Sequence, residues 1–340
     1  MAFYLTSSIT IGNYPNVKPN KVSWKTDVGN FTDSCTITLP RISHLQNKEV
    51  RTFDMKYGED HQNKNFYQFK EGDKVEVLLG YNNKNEKRFS GFIRRVKMGI
   101  PVELECEGYG YQLYDVIFNK TYQDISVKQL LKDLTAGTEI KLSDEIPDIP
   151  LKNVRFKNAT GIQVLEYLKK EVSLAVYFNF DELYVGTMFG KVQKRVKVKI
   201  GWNTVSDDDF QKRKVDKDVK IVIKEKNDKG EVKKTKSDLQ KYSDEKTVKI
   251  KADIPANFLK EIVNRLQKQE EYKGYEGNIQ LFLVPYVNKG MVIELEGGMY
   301  PEKSGNYFVQ SIQGEFGMSG GRQTVQLGFI MNKDGNTGTN

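Results

Sequence analysis

The stretch VSWKTDVGNFTDSCTITLPR, Val22 to Arg41, decides the fold class. Its second part alternates strictly, with Cys35, Ile37 and Leu39 on one face and Ser34, Thr36 and Thr38 on the other. A period of two predicts an antiparallel strand with one buried and one wet face. Pro40 then takes the chain out of the ladder, because proline has no N–H to donate. Asp27-Val28-Gly29-Asn30 supplies a turn, so the segment carrying Trp24 reads as the strand before it.

Outward from this pair, almost everything up to about Gly110 reads as strand and turn. KVEVLLGY (74–81), a loop Asn82-Asn83-Lys84-Asn85, and KRFSGFIRRVKMGIPVELECEGYGY predict a hairpin and a further strand. Val102, Leu104 and Cys106 point one way and Glu103, Glu105 and Glu107 the other, again one dry and one wet face. Glu49 to Tyr67 is polar, Asn-rich and aperiodic, which predicts a long loop that orders against a partner.

The pattern then changes. Ser126 caps a short helix with Val127, Leu130, Leu131 and Leu134 on one stripe and Gly137 just past its end. A loop holding Pro147 and Pro150 follows, then a second helix capped by Asn158 or Thr160, with Ile162, Leu165, Leu168 and Val172 as its apolar side. SLAVYFNFDELYVG closes this unit as a hairpin over Asn179 to Glu182. After Gly186 the strands return as VQKRVKVKIGW, DVKIVIKEK and EVKKTK, with Asn227-Asp228-Lys229-Gly230 as a hairpin tip. Pro255 opens the longest helix, in which Phe258, Leu259, Ile262, Val263 and Leu266 form the stripe and Gly274 ends it. A last antiparallel set runs through NIQLFLVPYVNKGMVIELEG, NYFVQSIQGEF and GRQTVQLGFI, and NKDGNTGTN reads as a flexible tail.

With 340 residues and 38% hydrophobic residues, the chain is expected to build two to four domains; one small domain is excluded and disorder throughout is not expected. No run approaches the roughly 18 apolar residues that cross a bilayer, and MAFYLTSSIT lacks the basic start and apolar core of a secretion signal. Membrane insertion is not expected. The formal charge is +8, and its excess concentrates between Lys191 and Lys251, with 20 Lys or Arg against 11 Asp or Glu. Such a stretch suits phosphate, an acidic protein surface or a set of solvated strand faces. Its lysines alternate along strands, which places them on an outer surface facing other proteins rather than along one groove that tracks DNA.

Chemistry-bearing motifs fail on context. Gly317-Met318-Ser319-Gly320-Gly321 matches the nucleophile elbow in letters, yet no His follows Ser319 and strands flank it, so it reads as a hairpin turn. Gly186 to Lys191 lacks the spacing and the Ser or Thr of a phosphate loop. Asp207-Asp208-Asp209 has no Gly-pivoted calcium loop around it and reads as a solvated turn. The two cysteines, Cys35 and Cys106, sit on apolar strand faces and read as core. His44 and His61 have no spaced carboxylate partners for a metal. Aromatic residues interleave with basic ones from Phe89 to Arg95 and from Tyr286 to Tyr307, a composition shared by nucleic-acid platforms and by sheet cores. No catalytic, cofactor-binding or metal-ligating residue is assigned, no cofactor is implied, and the chain is not expected to be an enzyme.

Read together, the order of these elements resembles the phage tail hub superfamily: late control protein D, contractile-phage baseplate hubs, and the N-terminal part of type VI secretion spike proteins. The residues that carry the resemblance are Trp24 with Thr36-Ile37-Thr38-Leu39-Pro40-Arg41, then Gly91-Phe92-Ile93, then Leu104-Glu105-Cys106-Glu107-Gly108. SLAVYFNFDELYVG follows, and then the long helix before Gly274-Tyr275-Glu276-Gly277 and the strand ending Val284-Pro285; the match spans Ile9 to Ile330. It implies an α+β, mainly β fold with two tail-tube-like antiparallel β-barrel domains and an inserted small α/β module. The limits expected are 1–115 for the first barrel, 116–188 for the module and 189–253 for a basic β-rich segment completing the barrels. The second barrel with the long helix takes 254–331 and the tail 332–340. The resemblance further implies a homotrimer forming a pseudo-sixfold ring in the virion tail, assembled in the bacterial host cytoplasm. Its partners would be the hexameric tail tube protein, a trimeric spike carried on a separate chain, the tape-measure protein and other baseplate proteins. Two other classes stay open: a basic β-rich nucleic-acid-binding protein, and a tail-associated carbohydrate-binding or hydrolytic protein.

Overall fold

The opening stretch folds as its alternation requires. In the computed structural model, Lys21–Asp27 and Ser34–Leu39 are antiparallel neighbours with Trp24 opposite Cys35. Val22, Trp24, Cys35, Ile37 and Leu39 are buried. In the turn between them Asp27 Oδ1 accepts the Gly29 amide at 2.6 Å. The structure describes residues 4–40, 42–45, 48–51, 69–187, 194–214, 218–226, 232–237, 239–250 and 256–330.

Six antiparallel strands make the first half, in the spatial order Leu5–Ile11, Lys74–Tyr81, Lys84–Lys97, Val102–Glu107, Ser34–Leu39, Lys21–Asp27. Ile9 and Val22, from the two outermost strands, share one cluster with Ile37, Val77, Ile93 and Leu104, so the sheet is curled around a single core. Two expectations need correction. The hairpin after Tyr81 is tighter than a four-residue loop: Asn82 and Asn83 take φ of +53° and +64°, and Tyr81 already pairs with Lys84. A two-residue left-handed turn matches the twist of the strands it joins, and Asn tolerates that conformation. The loop expected from Glu49 starts inside a strand, Lys48–Arg51, paired with Ile42–Leu45; residues 52–68, His61 among them, lie outside the described residues.

The second half repeats this wiring. Its order is Arg195–Lys199, Val292–Glu296, Gly305–Gly317, Gly320–Ile330, Tyr275–Phe282, with Thr204–Ser206 and Phe210–Lys212 on the last edge. Taken in chain order, each strand has the neighbours of its counterpart in the first half. Local detail agrees. The Gly72 amide bonds Ile93 O at 2.8 Å and the Ile93 amide bonds Asp73 O at 2.9 Å; Gly290, Val309 and Met291 repeat both bonds at 2.9 Å. Gly72 and Gly290 hold φ of +87° and +78°, open to glycine at little cost. A bulge follows at the same place, between Ile93 and Arg95 and between Val309 and Ser311. Phe92 therefore corresponds to Phe308, and Lys97 to Gln313. Trp24, opposite Cys35, corresponds to Phe210, opposite Gly277. One pairing departs: Leu5–Ile11 runs antiparallel to its neighbour, whereas Arg195–Lys199 runs parallel to Val292–Glu296. Val198, Phe210, Ile279, Leu295, Val309 and Val325 form the core of this half.

A third cluster joins everything else. Helix α1, Val127–Thr135, is capped by Ser126 Oγ, which accepts the Gln129 amide at 3.3 Å. Helix α2, Gly161–Lys170, starts from Thr160, not Asn158, in a reciprocal capping box with Gln163. The hairpin Ala175–Asn179 with Glu182–Gly186 lies where the sequence placed it. Pro150 is not in a loop: it opens the strand Pro150–Arg155, paired with Thr121–Ser126, a position where its missing N–H costs the ladder least. The basic stretch 189–253 divides. Arg195–Lys199, Thr204–Ser206 and Phe210–Lys212 complete the second half, while Val219–Lys226, Val232–Lys236 and Asp244–Ile250 form a separate sheet. Ile221, Ile223 and Ile250 of that sheet meet Leu259, Ile262 and Val263 of helix α3, Ala256–Glu271, in the same cluster as α1 and α2. The long helix thus packs outside the second half's core. Phe92 and Phe308, equivalent residues of the two halves, both enter this cluster.

Candidate functional site

The sheet of the first half does not end at Lys21–Asp27. That strand pairs antiparallel with Gly305–Gly317 of the second half, from Lys21 opposite Gly317 to Asp27 opposite Ser311, making one 13-stranded sheet. The seam is sealed by Trp24, which lies across Gly314 so closely that a Cβ there would sit 2.0 Å from Trp24 Cζ2. Phe316 and Leu283 of the second half enter the core of the first.

Two buried cations reinforce the seam. Lys289 Nζ, its side chain 1% exposed, meets Asp33 Oδ1 at 2.5 Å and Asp27 O at 3.5 Å. Burial pushes the Asp33 carboxyl above its usual range, and Lys289 beside it pulls the other way. Arg88 donates to Leu283 O at 2.5 Å and Gln323 Oε1 at 3.2 Å, with its guanidinium 4.9 Å from the Tyr286 ring centre. Burial lowers its pKa to about 10. Gln323 Nε2 donates in turn to Phe282 O and Pro285 O. Charges held this far from water restrict the two halves to one relative placement, since breaking either set leaves a buried polar group alone.

Across the seam the outer face is continuous and polar. One row runs Glu105, Thr36, Ser23, Glu315, Arg322; the next runs Glu107, Ser34, Lys25, Gln313, Thr324, Gln280. Some of its charges are paired. Lys21 pairs with Glu315 at 3.2 Å across the seam, and Lys97 with Glu105 at 2.5 Å, a hydrogen bond that holds the Glu105 carboxyl below its usual range. Glu107 departs from the expected wet alternation: it is buried, and Arg94 donates to its Oε1 at 2.7 Å.

The motifs singled out in the sequence do not converge. Ser319 sits in the turn where Gly317 pairs with Gly320, and a strand leaves it. Asp207 accepts from Lys303 at 2.6 Å, whereas Asp208 and Asp209 are exposed. Cys35 and Cys106 are directly opposite each other, buried and free. Of the interleaved aromatic residues, Phe89, Phe92 and Tyr307 are core residues, whereas Tyr300 is exposed. No group of three or more His, Cys, Asp and Glu comes together among the described residues, and no described helix is long and apolar enough to cross a membrane. In the basic sheet Lys234, Lys224 and Lys249 occupy one row of the register; the hairpin tip 227–230 lies outside the described residues.

No protein-family model matches the sequence, and neither does any curated protein. Solved structures do. A tail protein from Neisseria meningitidis MC58 superposes with a TM-score of 0.66 at 13% identity, over 95% of this chain and 96% of its own. The 43 kDa tail protein of prophage MuSo2 from Shewanella oneidensis gives 0.62 at 11%, over 96% and 98%. The chain has the fold of phage tail proteins. That fold extends to an E. coli type VI secretion component described as similar to bacteriophage T4 tail proteins, with a TM-score of 0.59 at 10% identity over 98% of this chain and 79% of that one. The chain's architecture is mainly β with antiparallel sheets, as the sequence led one to expect.

Sequence reading missed the seam and its residues Asp33, Arg88, Lys289 and Gly314. A charged residue in a strand or turn looks solvated until its partner 256 residues away is known. The one available signal was the recurrence of Gly-x-x-Val or Ile-Glu at Gly72 and Gly290, which marks the duplication.

Proposed function

We propose that this chain is a structural subunit of the baseplate hub of a phage or phage-like tail, with three copies forming a pseudo-sixfold ring between a hexameric tail tube and a trimeric spike. The observation that carries this reading is the duplicated half joined to itself edge to edge: one chain supplies two of six equivalent positions. The polar face that crosses the seam would line the channel. On it Lys21 pairs with Glu315 and Lys97 with Glu105, which suits passage of a polyanion without trapping it, since net phosphate affinity scales with uncompensated positive charge. Domain limits of 1–115, 116–188, 189–253 and 254–331 go with this proposal, with 195–212 assigned to the second barrel.

Mass measurement in solution and electron micrographs test it directly. A trimer seen as rings, and its location at the tail tip in particles, is the expected result; a single copy per particle overturns it. The role is structural, so peptidoglycan or peptide turnover abolished by a point substitution would count against it. The lysine row of the basic sheet points to an acidic protein neighbour, because like charges in adjacent strands repel until something opposite covers them. Changing Lys224, Lys226, Lys229, Lys233 and Lys234 to Glu is expected to impair tail assembly and leave the subunit folded. Normal assembly with lost, salt-dependent DNA binding would favour the nucleic-acid reading instead.

A further inference from the structure

Resting on the ring reading above, we propose that neighbouring copies pair strand to strand, Phe210–Lys212 of one copy with residues 95–98 of the next, repeating between chains the seam each chain makes within itself. Both edges are open among the described residues. Phe210–Lys212 pairs on one side only, with Tyr275–Phe282, and residues 95–97 pair on one side only, with Val102–Glu107. Within the chain, the equivalents of these two edges are each other's partners. Trp24 faces Gly314, Lys25 faces Gln313 and Thr26 faces Ile312. Carried over by the duplication, Phe210 faces Met98, Gln211 faces Lys97 and Lys212 faces Val96.

Two further features fit. Lys289, before Gly290, corresponds to Glu71, before Gly72; Asp27, three residues after Trp24, corresponds to Arg213, three after Phe210. The internal seam brings Lys289 to the end of the strand that Asp27 closes. There Lys289 touches Asp27 only through its main-chain oxygen and pairs its charge with Asp33; the equivalent contact between copies would bring Glu71 near Arg213, two side chains of opposite charge. Glu71 is exposed, and Arg213 donates to Gln269 O at 2.9 Å and forms ion pairs at 3.9 Å with Glu270 and Glu276. The other feature is apolar. Phe316, near the tip of its hairpin, enters the neighbouring half's core. The matching hairpin tip of the first half holds out Met98 and Ile100, 61% and 78% exposed, and the open edge holds out Trp202 and Val205, 82% and 39% exposed. Because the two edges differ, the contact is head to tail, the kind that closes into a ring when the rotation fits.

Cysteines at Lys97 and Gln211 test the register, because antiparallel partners have Cβ atoms about 4.5–5.5 Å apart, close to what a disulfide spans. Under mild oxidation the double variant K97C/Q211C is expected to give covalent dimers and trimers, and either single variant none; the native thiols are buried. Separately, Glu71→Arg or Arg213→Glu should each raise the concentration for half-association by about tenfold or more, and the two together should restore it. A trimer by mass that shows neither the cross-link nor the charge rescue overturns this pairing and leaves the ring standing. A chain that remains single in assembled particles overturns the ring and the pairing with it.

Discussion

The outer edge of the first half, Lys21–Asp27, is a regular strand buried against Gly305–Gly317, whereas its counterpart in the second half is broken into Thr204–Ser206, which itself shifts register, and Phe210–Lys212. The covered edge carries Trp24 over a bare glycine. The open one carries Asp207, Asp208 and Asp209 in the break. A strand edge that is filled within its own chain can afford to be long, flat and apolar. An edge that waits in water must be short, bent and charged, or it recruits the wrong partner. The differences between the two halves thus separate into those that come from the fold and those that go with an open edge.

The comparison breaks most severely at Lys289. Lys289→Met leaves Asp33 buried without a counter-ion and is expected to cost about 3–5 kcal/mol. Pairing it with Asp33→Leu should recover most of that, read by denaturant unfolding; equal loss in single and double variants would mean the pair does not hold the seam. Next, Arg88→Ala takes the side-chain donor from Leu283 O and Gln323 Oε1 and is expected to cost roughly 1–3 kcal/mol. Gly314→Val drives a side chain into Trp24, again for roughly 1–3 kcal/mol, and should lower the intensity or shift the wavelength of Trp fluorescence. Both should split unfolding into two transitions, one for each half. Thr160→Ala removes only the cap of α2 and sharpens the contrast: about 1 kcal/mol is expected, with a single transition kept.

Much of the fold was legible because burial imposes period two on a strand and a stripe on a helix. Cys35-Ile37-Leu39, Val102-Leu104-Cys106 and the α1 stripe all point inward as their spacing requires, as do Leu165 and Leu168 of α2 and Val172 just after it; in α2 Val164 is also buried and Ile162 only partly so. The destination of a helix was not legible. Helix α3 has a clear apolar side, yet nothing in Leu259, Ile262 or Val263 says that it faces Ile221 and Ile223 rather than the strands that follow it in sequence. The seam was illegible for a related reason. The seam strand Lys21–Asp27 and the open edge Phe210–Lys212 carry similar wet faces, and only long-range pairing separates a strand covered by its own chain from one left open.

Cys35 and Cys106 give the molecule a built-in clock. They are the chain's only thiols, both belong to the first half, and burial pushes both far above the range in which a thiolate forms. A thiol reagent therefore finds no nucleophile while the first half is closed. The rate at which these two residues become labelled reports the opening of that half alone, with no cysteine introduced.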